Sequence, residues 1–115
     1  MNEVCDISEL VGKTVRYITG VAGDQEITFR MTDDSQYQMR HNQNSCESVR
    51  VDEIIGDLQD LIDSPILQAE VVIQKDAVTP DLITWTFYKL ATTKGFVTIF
   101  WHGTSSEAVD FERVT

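Results

Sequence analysis

The segment "LITWTFYKLATTKGFVTIFWHG", residues 82–103, constrains the fold of this chain more than any other part. Aromatic and β-branched residues alternate in it with a period of two, which is the pattern of β-strands. Lys94-Gly95 is a two-residue turn signal in its middle, and that turn places Tyr88 opposite Trp101. The sequence therefore predicts an antiparallel hairpin.

Both faces of this predicted hairpin are apolar, although a sheet with one solvated face needs only one. We expect either that other elements cover both faces or that a second subunit covers one, which would make a homo-oligomer, in the simplest case a twofold dimer. The candidate interface residues are Tyr88, Phe100 and Trp101. Because Phe100 and Trp101 are adjacent and point to opposite faces, only one of them should lie at an interface. One face carries Tyr88, Leu90, Val97, Ile99 and Trp101, and the other carries Trp85, Phe87, Ala91, Phe96 and Phe100.

Further strands are predicted by the same alternation. In "EITFRMT" and "QYQMRH" the apolar residues alternate with polar ones, and a three-residue loop at 33–35 would pair Phe29 with Met39. The remaining predicted strands are "KTVRYIT", "LQAEVVIQ" and "AVDFERV". Antiparallel pairing is therefore expected through most of the chain.

One main helix is predicted at about 52–62, in "VDEIIGDLQDLI". Asp52 can cap it, apolar residues from Ile55 to Ile62 recur at helical spacing, and Pro65 ends it. A short helical turn, capped by Asp6 or Ser8, is expected in "DISELVG". The predicted fold class is α+β: a mostly antiparallel sheet of six or seven strands with one main helix, in a single globular domain over 1–115.

The charge balance narrows the classes of partner. With 19 acidic against 9 basic residues, the formal net charge is −10, which disfavours binding to nucleic acid or to an anionic membrane surface. No apolar run is long enough to span a membrane, and the first ten residues do not resemble a secretion signal. The two cysteines, Cys5 and Cys46, are too few for a disulfide scaffold, so we expect reduced thiols and a cytoplasmic location.

His41, Cys46 and Glu47 lie within seven positions of one another. No paired-cysteine spacing accompanies them, so we expect no metal, and no nucleophile signature surrounds Cys46. We interpret His41 as part of a strand and Cys46 as a small buried residue, and we expect no cofactor. A small enzyme that uses His41 and Cys46 remains the least favoured alternative.

Two charged groups are candidates for binding. The acids of the predicted helix, Asp52, Glu53, Asp57, Asp60 and Asp63, form either a solvated face or a protein-contact patch. Arg16, Arg30 and Arg40 fall on the polar side of the first three predicted strands. They could hold a phosphate or carboxylate, or they could simply pair with surface acids.

The chain resembles a family of small, largely uncharacterised phage and prophage proteins. The matching motifs are Cys-Glu-Ser-Val at 46–49, the segment 55–67 with its Ser-Pro-Ile-Leu end, Trp-Thr-Phe-Tyr-Lys at 85–89 and Val-Thr-Ile-Phe-Trp at 97–101. The resemblance implies a phage protein acting in the host cell cytoplasm, and it names no chemistry.

A more distant similarity is to the Thoeris anti-defence sponge proteins of phages, which bind cyclic ADP-ribose-type immune signals without cleaving them. The chain departs from that pattern at Ser45, at Phe100 and in the segment 105–109. Read through this resemblance, the candidate ligand-binding residues are Arg16, Arg30, Arg40, Trp101, His102 and Ser105.

The sequence thus predicts a non-enzymatic binding protein. Its partner is either a nucleotide-like small molecule, as for a sponge, or a host defence protein that it inhibits through an acidic surface.

Overall fold

The computed structural model describes residues 2–41, 48–78, 81–104 and 108–114, and almost all regular structure in these ranges is β. Nine strands occur there with two single-turn 3₁₀ helices, Ile7–Leu10 and Leu58–Leu61. The strands are β1 (Asn2–Val4), β2 (Val15–Thr19), β3 (Glu26–Met31), β4 (Gln36–Arg40), β5 (Val49–Ile55), β6 (Gln68–Val78), β7 (Asp81–Thr92), β8 (Gly95–Gly103) and β9 (Asp110–Val114).

The strands form two antiparallel sheets. Sheet I has the order β1-β9-β4-β3-β2, and sheet II has the order β5-β8-β7-β6. Buried side chains from both sheets belong to one hydrophobic cluster, so the two inner faces pack together as a β-sandwich. Its largest fully buried side chains include Phe29, Tyr37 and Met39 from sheet I and Tyr88, Leu90, Ile99 and Trp101 from sheet II.

Alternation along each strand decides which side chains enter this core. In β3, Ile27, Phe29 and Met31 are buried, and the residues between them are half-buried or exposed. β8 follows the same rule, with Val97, Ile99 and Trp101 inside. Since successive residues of a strand point to opposite faces, the polar residues of sheet I and the second aromatic set of sheet II lie on the outer surfaces.

The predicted main helix over 52–62 is wrong, and with it the α+β class. Residues up to Ile55 continue strand β5, and only Leu58–Leu61 form a single 3₁₀ turn. The strand pairs with β8, but its register shifts between Val51 and Glu53, which marks a β-bulge. The extra residue breaks the period of two, so the apolar positions of β5 and of the turn after it imitate helical spacing.

Gly56 separates β5 from this 3₁₀ turn. Its φ is +98°, and a Cβ there would lie 2.4 Å from the carbonyl oxygen of Phe96. The next residue, Asp57, caps the turn by accepting a hydrogen bond from the Gln59 backbone N–H at 2.9 Å. A continuous helix would need a φ near −60° at residue 56, whereas Gly56 has +98°, and the contact with β8 leaves no room for a side chain there.

The two predicted hairpins exist, but each differs in register by two residues. Phe29 pairs with Tyr37 instead of Met39, and Tyr88 pairs with Ile99 instead of Trp101. Thr92 pairs with Gly95, so the two residues between them form the turn. A shift of two keeps every side chain on its own face, and the predicted division of the aromatic residues into two faces is therefore confirmed.

The predicted turn near the N-terminus is also confirmed. The Asp6 side chain accepts a hydrogen bond from the Ser8 backbone N–H at 2.8 Å, and this cap lowers the pKa of Asp6. Ile7 and Leu10 of the turn are buried against the sandwich. Within the ranges that the structure describes, no helix has the length and apolar character needed to cross a membrane.

Candidate functional site

The outer face of sheet II carries a row of aromatic side chains. Trp85 and Phe87 come from β7, and Phe100 and His102 come from β8. The register places Trp85 directly opposite His102 and Phe87 directly opposite Phe100. Ring centroids are 4.6 Å apart in the first pair and 4.9 Å apart in the second, with edge-to-face geometry. All four rings are half-buried because they cover one another, and each keeps some surface open to solvent.

The neighbouring strands give this aromatic row a polar border. Gln74 of β6 lies opposite Trp85, and Glu53 of β5 lies opposite Phe100. Asp52 and Glu53 are both exposed. The bulge at Val51–Glu53 brings Glu53 onto the same face as Phe100, so the irregularity that hid the strand also positions an acid here.

These residues enclose an open pocket of about 320 Å³. Its lining is formed by Asp52, Glu53, Gln74, Trp85, Phe87 and Phe100. Aromatic faces attract cations, and two carboxylates beside them add Coulombic attraction of the same sign. The pocket is therefore suited chemically to an organic cation with an apolar stem, and the exposed Arg50 lies opposite His102 at the other end of the aromatic row.

Two residues predicted to contact a ligand or a partner lie in the core instead. Trp101 has no exposed surface, and Tyr88 is 2% exposed. The Tyr88 hydroxyl donates a hydrogen bond to the Val109 carbonyl oxygen at 2.6 Å, and burial raises the pKa of the phenol. Neither side chain reaches the outer face of sheet II, so neither is available to a ligand or a second subunit on that face. The inner face that they occupy is covered by sheet I.

The other candidates from the last hairpin do not lie in the core. Phe100 lies on the outer face as part of the pocket, and His102 borders it through Trp85. Ser105, which was predicted as a ligand contact, lies outside the described residues. The aromatic part of the candidate site was thus visible in the sequence, but its members are Trp85, Phe87 and Phe100 instead of Trp101.

The three candidate arginines lie on sheet I, away from this pocket. Arg16 lies 3.5 Å from Asp34, and Arg30 donates a hydrogen bond to Gln36 at 3.0 Å. Arg40 donates to Glu112 at 2.8 Å. Arg30 and Arg40 are at opposite ends of the β3–β4 ladder, where four intervening register steps separate them by roughly 13 Å.

Arg40 has the most acidic surroundings of the three. Its ladder partners are Glu26 on β3 and Asp110 on β9, and Glu112 is 7% exposed. Burial alone would raise the pKa of Glu112, but hydrogen bonds from Asn2 and Arg40 outweigh it, and the pKa lies below its usual value. The carboxylates around Arg40 therefore balance its charge, as expected for a structural ion pair.

Of the motif His41, Cys46 and Glu47, the structure describes His41. Cys46 and Glu47 lie outside the described residues, and His41 follows the end of β4. The other cysteine, Cys5, is a free thiol whose pKa is raised to about 12 by burial and by the neighbouring Glu9 carboxylate. A thiol with so high a pKa is a poor nucleophile at neutral pH.

The remaining acids of the predicted helix have separate roles. Asp57 caps the 3₁₀ turn, and the Asp60 carbonyl accepts a hydrogen bond from the Thr92 hydroxyl. Asp63 adopts a φ of +62°, and its backbone N–H donates to the Val15 carbonyl at 2.9 Å. Of the five acids assigned to the predicted helix, only Asp52 and Glu53 are among the described residues that line the pocket.

Sequence reasoning missed the combination of aromatic and acidic residues in one pocket. The signal was present, because Trp85, Phe87 and Phe100 alternate with core residues on neighbouring strands. The acids were assigned to a helix, and that assignment separated them from the sheet. Gln74 gave no signal of its own, since its place beside Trp85 depends on the β6–β7 register.

Comparison with known proteins gives a family but no activity. Residues 8–109 match the model of a family described as a domain of unknown function, DUF7448. No curated protein and no solved structure matches the chain.

Proposed function

The chain belongs to the DUF7448 family, and from that premise we propose that it is a non-enzymatic binding protein whose pocket on sheet II takes a basic segment of another protein. The observation that supports this proposal is the pocket itself, in which an aromatic floor of Trp85, Phe87 and Phe100 is bordered by Asp52 and Glu53. We name this surface the aromatic–acidic pocket.

A lysine or arginine side chain fits the chemistry of this pocket. Its apolar stem can pack on the aromatic rings while its charged end meets the carboxylates. A cation over an aromatic face contributes about 0.5–1 kcal/mol at an exposed site and more when water is excluded. The formal net charge of −10 would also speed the approach of a basic partner.

An anionic ligand is less well supported at the same place. A nucleotide base could stack on the rings, but its phosphates would face Asp52 and Glu53, and Arg50, which lies opposite His102 on the same face, is not among the described residues that line the pocket. The arginines proposed for phosphate binding are on the other sheet. A cyclic nucleotide-type signal therefore stays as the rival ligand, to be tested beside the basic segment.

The biological setting of this proposal rests on the resemblance to phage and prophage proteins. In that setting the basic segment belongs to a host defence protein in the host cell cytoplasm, and the chain acts as an inhibitor. Enzymatic chemistry has no part in the proposal, since binding alone would block a partner.

Tryptophan fluorescence offers a direct test, because the two tryptophans differ in exposure. Trp85 borders the pocket, whereas Trp101 is fully buried. Lysine-rich and arginine-rich peptides, an acidic peptide and a panel of cyclic nucleotides would each be titrated against the protein. We expect the basic peptides to change the Trp85 emission, with an affinity that falls as salt is added. No response to any basic peptide would contradict the proposal.

Charge removal at the pocket has a matched control on the other sheet. Asp52→Asn with Glu53→Gln should weaken basic-peptide binding about tenfold, the equivalent of about 1.4 kcal/mol. Glu26→Gln with Asp34→Asn changes the net charge equally but lies on the β3 strand and its following turn, and it should leave the affinity within about twofold. Equal effects of the two pairs would mean that net charge alone drives binding. Binding of a cyclic nucleotide that survives Trp85→Ala would favour the rival ligand.

A further inference from the structure

Three of the four sheet edges in this sandwich are short or covered. The free side of β5 is met by the turn between β2 and β3, where the Gly23 N–H donates to the Val51 carbonyl and the Val51 N–H donates to the Asp24 carbonyl, at 2.7 and 2.8 Å. The free side of β2 receives the Asp63 N–H at Val15. β1 has only three residues. Covered or short edges are the usual protection against unintended strand pairing.

The edge formed by β6 differs from the other three. It has eleven residues and pairs with β7 on one side, and no strand or loop of the described ranges pairs with its other side. Its centre is the run Val71, Val72 and Ile73, which are 42%, 41% and 51% exposed. Long apolar edge strands with unpaired backbone groups are templates for pairing with another strand.

We infer that β6 pairs antiparallel with β6 of a second copy of this chain. A twofold axis normal to the sheet places residues of the same face opposite each other, so the pairing must be centred on one residue. Centring on Val72 sets Val72 against the partner's Val72, and Val71 against the partner's Ile73. The same register sets Glu70 against the partner's Gln74.

The neighbouring registers are less favourable. Centring on Ile73 would oppose Glu70 to the partner's Asp76, twice in each dimer, and like charges directly opposite are destabilising. Centring on Val71 would oppose Val72 to the partner's Glu70. Only the register centred on Val72 keeps the three apolar residues together and gives each Glu70 an amide partner. This self-complementarity is the reason for choosing a second copy as the occupant.

Pairing in this register would also close an opening beside β6. A cavity of about 220 Å³ lies on its inner side, between β6 and the elements around the first 3₁₀ turn. Val71 and Ile73 line it together with Tyr88, Val109 and Phe111. In the dimer Val71 lies opposite the partner's Ile73, and Ile73 lies opposite the partner's Val71. Sheet II of one copy then joins sheet II of the other to form one eight-stranded sheet.

The dimer would change the aromatic–acidic pocket as well. Gln74 lines that pocket, and the partner's Glu70 would lie directly opposite it. Each pocket would therefore gain a third carboxylate from the other subunit, and the two pockets would share one continuous outer face. This consequence rests on the proposed function, whereas the pairing of β6 does not.

Disulfide cross-linking tests the register. In a Cys5→Ser, Cys46→Ser background, Val72→Cys places two thiols in directly opposite positions, within reach of a disulfide, and mild oxidation should give a covalent dimer. The control Gln74→Cys lies on the same face, but its two copies would be about four residues apart along the ladder, roughly 13 Å, and should not cross-link. Cross-linking of both variants, or of neither, would overturn the inference.

Sedimentation equilibrium tests the assembly without any ligand. The wild-type protein should have twice the 13.0 kDa mass of one chain. Val72→Lys places two lysines opposite each other and should give a folded monomer, while Ile55→Lys, an exposed residue at the other edge of sheet II, should stay dimeric. A wild-type monomer at tens of micromolar, or a dimeric Val72→Lys, would overturn the inference. Because neither readout involves peptide binding, failure of the proposed function would appear separately.

Discussion

Adjacent residues of one strand can have opposite roles, and Phe100 and Trp101 show this at the scale of single side chains. Trp101 is fully buried, and its indole N–H has no hydrogen-bond acceptor in the described part of the chain. An unsatisfied buried donor costs about 1–3 kcal/mol, so the packing of the ring must outweigh that cost. Phe100 faces outward and packs edge-to-face on Phe87 at 4.9 Å. One residue stabilises the fold, and the other shapes the surface.

We therefore expect substitutions at these two positions to differ in kind. Trp101→Glu would bury a charge in the apolar core and should give an unfolded or insoluble chain. Phe100→Glu would place the charge on the half-buried outer face and should give a folded protein, about 1–2 kcal/mol less stable. Near-ultraviolet circular dichroism and urea unfolding would measure both. Comparable loss of structure in the two variants would contradict the assignment of the faces.

Glu112 makes a pH-dependent contribution to stability, which can be measured as the difference in unfolding free energy between wild type and Glu112→Gln. Its folded-state pKa lies below the usual 4.5, so the folded protein binds fewer protons than the unfolded chain between the two values. The contribution is fully present above pH 4.5 and is lost as the pH falls through the folded-state pKa. Glu112→Gln, which keeps the shape but loses the charge paired with Arg40, should cost about 1–3 kcal/mol at pH 7.

Urea unfolding of wild type and Glu112→Gln at pH 7 and pH 3 would check this. The difference between the two proteins should shrink at pH 3, since other acids titrate equally in both. A difference that stays constant down to pH 3 would show that the Arg40 ion pair does not carry the effect.

At the scale of elements, the sequence predicted well where a strand is regular and poorly where it is not. The alternation in β3, β4, β7 and β8 identified both hairpins and assigned the faces correctly, since the register errors of two residues do not move a side chain to the other face. β5 was mistaken for a helix because its bulge disturbs the period of two. The regular alternation of β7 and β8 made the aromatic part of the pocket predictable, whereas the bulge in β5 hid its acidic border.

Alanine substitution at Gly56 and at Gly23 separates the cost of backbone strain from the cost of a clash between residue 56 and β8. Their φ values are +98° and +97°, so alanine brings nearly the same backbone strain at both. A Cβ at Gly23 would meet nothing within 4 Å, whereas at Gly56 it would lie 2.4 Å from the Phe96 carbonyl oxygen. Gly23→Ala should cost about 1–2 kcal/mol, and Gly56→Ala should cost at least about 2 kcal/mol more.

Chemical denaturation of both variants would measure this difference. Equal costs would mean that β8 can move away from residue 56 without penalty. A larger cost at Gly23 would contradict the close approach of the two strands altogether.

At the scale of the whole molecule, the two sheets differ in what they present to solvent. The outer face of sheet I carries charged and amide side chains from β3 and β4, including the ion-paired Arg40. The outer face of sheet II carries the aromatic row and the acids of β5, together with the exposed Arg50 and Lys89. The proposed binding surface and the proposed dimer edge both belong to sheet II, whose inner face sheet I covers.

The position of β9 has a consequence for how the chain acquires its structure. β9, residues 110–114, lies inside sheet I between β1 and β4, and it is the only link between these two strands in the sheet order. Without β9, the strands of sheet I can form only the β2–β3–β4 meander, and β1 has no strand to pair with in that sheet. Contacts between residues more than a hundred positions apart, such as Asn2 with Glu112, form only once β9 is in place. Pairing between such distant residues is intrinsically slow, so completing sheet I is expected to be a late step in folding.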